Sequence, residues 1–243
     1  MKLSNNTLSV LKNFSGINGN LEFKAGKEIK TISSTKTVMA KATLTDEFPQ
    51  DFCVYDLNQF LSVYSLHKDS DIDFDDKNVI FKSGKSKTKY RKAERNNIIT
   101  PPDKELVLPS VDASLTLTEA DLADLLKSAS VLQSQHVIVE SDGEKIYVTT
   151  CSIQQNGQRS ENTNSIEVGD GNGNVYSATF LTENLKMVPG TYEIEVSSKG
   201  MASFKNTTQP IQYWIAIEAK HSKFAKFDFL YYGVFEWTNI SCG

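Results

Sequence analysis

Two segments 114 residues apart begin in the same way, and a chain built on such a repeat is constrained to fold as two related halves. Leu3-Ser4-Asn5-Asn6-Thr7-Leu8, with Leu11 beyond, lines up with Leu117-Thr118-Glu119-Ala120-Asp121-Leu122, with Leu125 beyond. Each segment starts with a hydroxyl residue, Ser4 or Thr118, of the kind that caps a helix by accepting from the free amides of its first turn. In the second copy Leu122, Leu125, Leu126 and Ala129 fall at i, i+3, i+4 and i+7, the apolar stripe of an amphipathic helix, and Asp124 and Lys127 lie opposite. The first copy has a rougher stripe, Leu8, Leu11 and Phe14, with Lys12 well off it.

The parallel continues past the helices. Leu21, Phe23, Ile29 and Ile32 follow the first with strand-like alternation. Val137, Val139, Ile146 and Val148 follow the second, with Asp142-Gly143 as a hairpin turn. A second helix is expected in each half. Asp56 caps one over Leu57, Phe60, Leu61 and Tyr64, with Gln59 completing a capping box. Thr182 caps the other through Met187, before Pro189-Gly190 ends it. That pair is offset by 126 residues, and an Asn- and Gly-rich loop from Gln154 to Asn174 absorbs the difference. Strands then follow, over Ile72 to Phe81 in one half and over Tyr192 to Val196 and Tyr213 to Ile217 in the other. The expected class is therefore α+β in tandem duplication. The first domain is residues 1–99, a proline-stiffened connector 100–114, the second domain 115–224, and a C-terminal extension 225–243.

The charge is uneven. The whole chain carries −4, which excludes a uniformly cationic nucleic-acid binder. Asp69, Asp71, Asp73, Asp75 and Asp76 make one acidic run. Lys82, Lys85, Lys87, Lys89, Arg91, Lys92, Arg95 and Lys104 follow, opposed only by Glu94 and Asp103, so this stretch is +6 and the remainder −10. Such runs read as solvated surface or as a docking site for phosphates or acidic partners. No apolar run is long enough for a membrane helix, and the amino terminus is too polar for a signal peptide. Cys53, Cys151 and Cys242 form no disulfide framework and suit a reducing cytoplasm.

The residues offer little chemistry. His67, His136 and His221 lack second ligands at metal spacing, and Cys151 has no evident base. Asp71-x-Asp73-x-Asp75 begins like a calcium loop, but Asp76 stands where glycine is required and Lys82 where the bidentate glutamate belongs. Asp170-x-Asn172-x-Asn174 fails likewise, with Val175 next and Leu181 at the twelfth position, and Gly169 to Asn174 reads as a turn. No metal, cofactor or catalytic set is expected.

MKLSNNTLSVLKNF, FCVYDLNQFLSVYSL, DLADLLKSASVLQ with GEKIYV, NLKMVPGTYEIEVSSKG and YWIAIEA resemble, in order, the sliding clamps of T-even-type bacteriophages. The resemblance runs from Met1 to about Phe224. It implies two-domain subunits closing head-to-tail into a homotrimeric ring, strands outside and helices around a hole that duplex DNA threads. Implied partners are the replicative DNA polymerase, a clamp loader and late-transcription factors, in the cytoplasm of the infected bacterial host and away from any membrane. By wheel position and resemblance Lys12, Lys127 and Lys186 line the hole; Ser130 stands where the family tends to add a further basic residue. A hydrophobic pocket for partner peptides is expected near Val107, Leu108, Pro109, Leu132, Ile215 and Ile217, which could equally be plain core residues.

Beyond Phe224 the resemblance ends. Lys-Phe-Asp-Phe-Leu-Tyr-Tyr resembles the acidic-aromatic peptides by which partners of this family dock. Phe227, Asp228, Phe229 and Leu230 are thus candidates to occupy such a pocket, as an autoinhibitor or an engineered fusion, or belong to an unrelated extension. Two other functions compete with the clamp reading: a non-enzymatic phage structural protein of duplicated α+β domains, and a hydrolase using His136 or Cys151.

Overall fold

A computed structural model of the chain describes residues 1–66 and 70–224. His67, Asp69, Cys242 and the candidate docking residues Phe227, Asp228, Phe229 and Leu230 lie outside the described residues. The chain divides into two compact units, Met1–Asp103 and a second from Lys104 onward.

In the first unit α1 spans Asn5–Ser15. Ser4 is its cap: the hydroxyl accepts from Thr7 N at 3.3 Å, and Ser4 N donates to Asp46 Oδ2 at 2.6 Å. Thr7, Val10, Leu11 and Phe14 form the buried face. Strands β1 (Leu21–Phe23), β2 (Gly26–Ile32), β3 (Val38–Phe48) and β4 (Phe52–Val54) follow, hydrogen-bonded in the order β4-β1-β2-β3. Then comes α2 (Leu57–Leu66), where Asp56 Oδ1 accepts from Gln59 N at 2.8 Å as the sequence leads one to expect. Leu3 N donates to Tyr64 Oη, and Leu57 N to Gly19 O, so α1 and α2 lie side by side and antiparallel. Strands β5 (Asp71–Phe74), β6 (Asn78–Ser83) and β7 (Ser86–Arg91) make a separate sheet in sequence order.

Aromatic rings fill this unit. Phe23 stacks on Phe52 at 4.4 Å, and Phe60 meets Phe81 and Tyr90 edge-on at 5.3 and 5.5 Å. Phe14, Phe23, Phe60 and Phe81 have no exposed surface. Each buried ring of this kind contributes roughly 1.5–3 kcal/mol by leaving water.

The second unit opens with β8 (Ala113–Leu117) and α3 (Glu119–Leu132). Thr118 caps α3 by accepting from Asp121 N at 3.2 Å, and Asp121 Oδ2 accepts from the Thr118 hydroxyl at 2.6 Å. Gln133, left-handed at φ 52°, ends the helix. A five-stranded sheet runs β11 (Asn164–Asp170), β10 (Lys145–Cys151), β9 (His136–Asp142), β12 (Val175–Leu181), β16 (Lys223–Phe224). The β9–β10 turn is the expected one: Gly143 takes φ +100°, and Asp142 Oδ1 accepts from Glu144 N and Lys145 N. Strands β13 (Tyr192–Ser197), β14 (Met201–Asn206) and β15 (Ile211–Ala216) join β8 in the order β15-β14-β13-β8.

Two expectations are corrected here. The second helix of this half is only a 3-10 turn, Thr182–Leu185. Thr182 does not cap it; its hydroxyl donates instead to Ser134 O at 2.9 Å. Pro189 also disfavours helical backbone at the residue before it. The stretch Gln154 to Asn174 is not all loop, because β11 occupies 164–170 and pairs along β10. It carries only two apolar side chains, Ile166 and Val168, both half-exposed, so the alternation is too short to stand out from the loop residues around it.

Candidate nucleic-acid interface

Lys12 stands about 150° around α1 from the centre of its buried face, at the 3.6-residue helical period. Lys127 stands about 165° from the centre of the α3 face made by Leu122, Leu125 and Ala129. Both are exposed. Among the described residues neither has a carboxylate within 4.0 Å, whereas Lys24, Lys30, Lys41, Lys82 and Lys145 all do. Lys12 also lies in the last turn of α1, where the free carbonyls favour a cation. Lys186 departs from the expectation: it is exposed but is not borne on an α-helix, since it directly follows the 3-10 turn.

The helix surfaces differ in charge. Glu119 and Asp121 sit in the first turn of α3, and Asp124 is exposed near Lys127. Ser130 is exposed one turn beyond Lys127, and Val131 beside it is 75% exposed. Neither α1 nor α2 carries a carboxylate, and α2 carries no charge at all.

Of the basic run, Lys82, Lys87, Lys89 and Arg91 lie on strands β6 and β7 and Lys85 in the turn between them, while Lys92 donates to Asp75 O and Arg95 pairs with Glu22. Register places Asp71, Lys82 and Lys87 in one row and Asp73, Ile80 and Lys89 in the next. Lys82 Nζ pairs with Asp73 at 2.8 Å, while Lys85, Lys87, Lys89 and Arg91 point into solvent at the β7 edge. Asp75 closes the β5–β6 turn by accepting from Lys77 N and Asn78 N at 2.9 and 2.6 Å. These carboxylates therefore hold a hairpin, and among the described residues no group of three or more His, Cys, Asp or Glu is placed to hold a metal ion.

The six candidate pocket residues fall into two sets. Val107 is 71% exposed, Pro109 is exposed, and Leu108 and Leu132 are half-buried. Ile215 and Ile217 are 0% and 6% exposed, as core residues are. A crevice beneath α3, lined by Leu122, Leu125, Val139, Val148, Phe180 and Phe204, involves none of the six.

The hydrolase reading loses its residues. Cys151 is fully buried, and burial pushes its thiol up, away from the thiolate a nucleophile needs. His136 faces Cys151 across the β9–β10 register, but its Nδ1 accepts from Ile153 N at 3.2 Å. Burial, then the charge of His221, lowers the His136 imidazole, and the two rings are 5.9 Å apart. No helix among the described residues is long and apolar enough to cross a membrane.

Comparison with known proteins agrees with this geometry. Residues 2–100 match the family described as DNA polymerase processivity factor, and residues 114–219 match the family described as gp45 sliding clamp, C terminal. The sliding clamp of Vibrio phage KVP40 is 30% identical over 223 residues, covering 90% of this chain and all of that protein. The sliding clamp of Escherichia phage RB69 is 29% identical over 223 residues, covering 90% and 97%. Among solved structures, A. fulgidus PCNA bound to the C-terminal region of FEN-1 matches with a TM-score of 0.62 at 12% identity, over 87% of this chain and 94% of that one. That likeness shows the fold, a two-domain clamp of α+β units. With the matches in both halves and the phage relatives aligned end to end, the chain belongs to the sliding-clamp family of DNA polymerase processivity factors.

Proposed function

We propose that three copies close head-to-tail into a ring around duplex DNA, with Lys12, Lys127 and Lys186 turned toward the phosphates. The observation that carries this reading is the pair Lys12 and Lys127: exposed, opposite the buried faces of α1 and α3, and without a carboxylate in reach among the described residues. A sliding ring must hold DNA without reading it, and exposed lysines meeting phosphates do that independently of sequence. An acidic body around such a lining repels DNA elsewhere and favours threading over adhesion.

In this reading the chain performs no chemistry. It tethers the phage DNA polymerase, is opened by a clamp loader and supports late transcription, all in the cytoplasm of the infected bacterium. Partner peptides dock in a pocket near Val107, Leu108, Pro109, Leu132, Ile215 and Ile217. Val107 and Pro109 are exposed, and covering exposed apolar surface is what an apolar anchor gains by docking. The test is the combined variant K12A/K127A/K186A. Its assembly mass should stay at three times the 27.1 kDa of one chain while processive synthesis falls. Normal processivity in the variant sinks the lining assignment, and a monomeric mass for the unmodified protein sinks the ring.

A further inference from the structure

The last described strand of the second unit is lightly fastened. After Ile217 the chain makes a 3-10 turn, Ala219–His221, and then β16. That strand pairs with β12 at two positions, Tyr176 with Phe224 and Ser177 with Lys223. The other hydrogen bonds from this segment to β12 converge on one residue. Thr179 O accepts from Glu218 N at 2.7 Å, Thr179 N donates to Ser222 Oγ at 2.9 Å, and the Thr179 hydroxyl donates to His221 O at 2.8 Å. His221 therefore sits at the point where the segment is tied down.

The ring of His221 is half-buried and lies edge-on to that of His136, 5.9 Å away. His136 is 6% exposed and stands in β9 between Cys151 of β10 and Leu181 of β12. Its Nδ1 accepts from Ile153 N at 3.2 Å, which assigns the proton of the neutral ring to Nε2. A second proton has to enter at Nδ1. It would set two donors against each other where the Ile153 bond now is, and place a cation opposite His221. The other ionisable groups on the surrounding elements are Glu140 on β9, Cys151 on β10, Arg159 after it, Glu183 after β12, and Glu218 and Lys220 beside His221. Glu140 and Arg159 pair with each other at 2.8 Å. Burial, and then the charge of His221, holds the His136 imidazole below its ordinary range.

We propose that His136 and His221 form an acid-sensitive latch on the segment from Glu218 to Phe224: with His136 neutral the segment lies along β12, and with both imidazoles protonated it is driven off. The sign follows from the lowered His136. An ordinary imidazole takes up its proton near about pH 6.5, so below that value the opened state binds the proton more readily than the closed one. The latch is fully closed above about pH 6.5 and weakens as pH falls toward the lower folded value. The segment yields rather than β9, because β9 is paired along both of its sides and β16 along two residues of one. Opening uncovers Tyr176, 5% exposed and stacked on Phe224. It also bares the outer edge of β12, where unpaired N–H and C=O groups accept another extended chain.

The experiment is amide hydrogen exchange of the full chain at about pH 7.5 and about pH 5, on either side of the ordinary imidazole range, with rates corrected for the intrinsic effect of pH. Compared are the unmodified protein, His221→Asn and His136→Asn. Asparagine keeps a polar side chain that takes no proton in this range, and at position 136 it offers an acceptor to Ile153 N. Two unit charges 5.9 Å apart, screened by the water that reaches His221, oppose each other by about tenfold in an opening equilibrium. Protection of the 218–224 amides and of Thr179 should therefore fall by about that factor at the lower pH in the unmodified protein, while the β13 and β14 amides hold theirs. In His221→Asn the protection at the lower pH should be retained, and in His136→Asn likewise. Should the buried substitution at 136 fail to fold, His221→Asn alone decides. Unchanged protection in the unmodified protein overturns the proposal. So does an equal loss in His221→Asn, a loss confined to Ile153 and its neighbours, or a loss shared by β13 and β14.

Discussion

Phe60 fastens α2 to both sheets of the first unit, and its removal makes the sharpest test of how that unit is held. The ring has no exposed surface. It lies 5.8 Å from Phe23 and 6.4 Å from Phe52 on one side, and edge-on to Phe81 and Tyr90 on the other. Replacing it by alanine loses about 1.5–3 kcal/mol of transfer free energy. The cavity among four rings that cannot all collapse raises the total to about 3–5 kcal/mol. Against a domain stability of about 5–15 kcal/mol that is a large fraction. With a denaturant slope of about 1.5 kcal/mol/M, the urea midpoint of this unit should fall by about 2–3 M. Tryptophan fluorescence is the wrong probe, since Trp214 and Trp237 both fall after residue 103. Hydrogen exchange of α2, β6 and β7 amides in a urea series is the right one. Phe60→Leu keeps most of the volume and should cost about 1–1.5 kcal/mol. A midpoint shift below about 0.5 M for Phe60→Ala corresponds to under about 1 kcal/mol and would refute the claim that this ring joins the helix to the sheets.

Three further outcomes are expected. Thr118→Ala removes the cap of α3, and by thermal melting should destabilise the protein by about 1 kcal/mol, with no loss beyond that. Burial acts to raise the Asp46 carboxyl, but hydrogen bonds from Ser4 and Thr7 outweigh it and the net shift is downward. Asp46 thus stabilises the fold above the ordinary carboxyl range near about pH 3.9 and stops doing so as pH falls through its lower folded value, so Asp46→Asn should flatten the acid limb of the stability profile. Burial pushes the Tyr192 phenol up to about 12, and Tyr213 further in the same direction. Their stabilisation is complete below the ordinary phenol value of about 10 and lost as pH rises toward the folded one, so alkaline unfolding should coincide with tyrosinate absorbance rather than precede it.

Most of the fold was legible because its elements announce themselves locally. Ser4, Asp56 and Thr118 cap helices as their side chains dictate, and Asp142-Gly143 turns the hairpin it spells. What escaped was set by neighbours in space. The 182–185 segment has a threonine at its start, but Thr182 is the first residue inside the turn rather than its cap, and its N and hydroxyl donate to Gln135 O and Ser134 O. Strand β11 shows only Ile166 and Val168 in alternation, both half-exposed, amid Asn, Ser and Gly that read as loop. Strand β7 hid inside the basic run: Tyr90 is its one buried side chain, and lysine alternation reads as charge before it reads as a strand. That Lys12 and Lys127 stand exposed opposite the buried faces of α1 and α3 was legible from wheel position, because charge opposite an apolar stripe is a one-dimensional pattern. The antiparallel contact of α1 and α2 was not, since it exists only in space.

The placement of cations along β7 has a consequence for the life of the chain before it assembles. This strand ends its sheet, and the other side of its backbone is paired to no strand among the described residues. A bare edge of that kind is a template on which other extended chains can grow. Lys87, Lys89 and Arg91 recur at every second position of it, so a second β7 drawn alongside would set like charges against each other. Cations spaced in this way along an exposed edge disfavour its pairing with a second copy of the same strand.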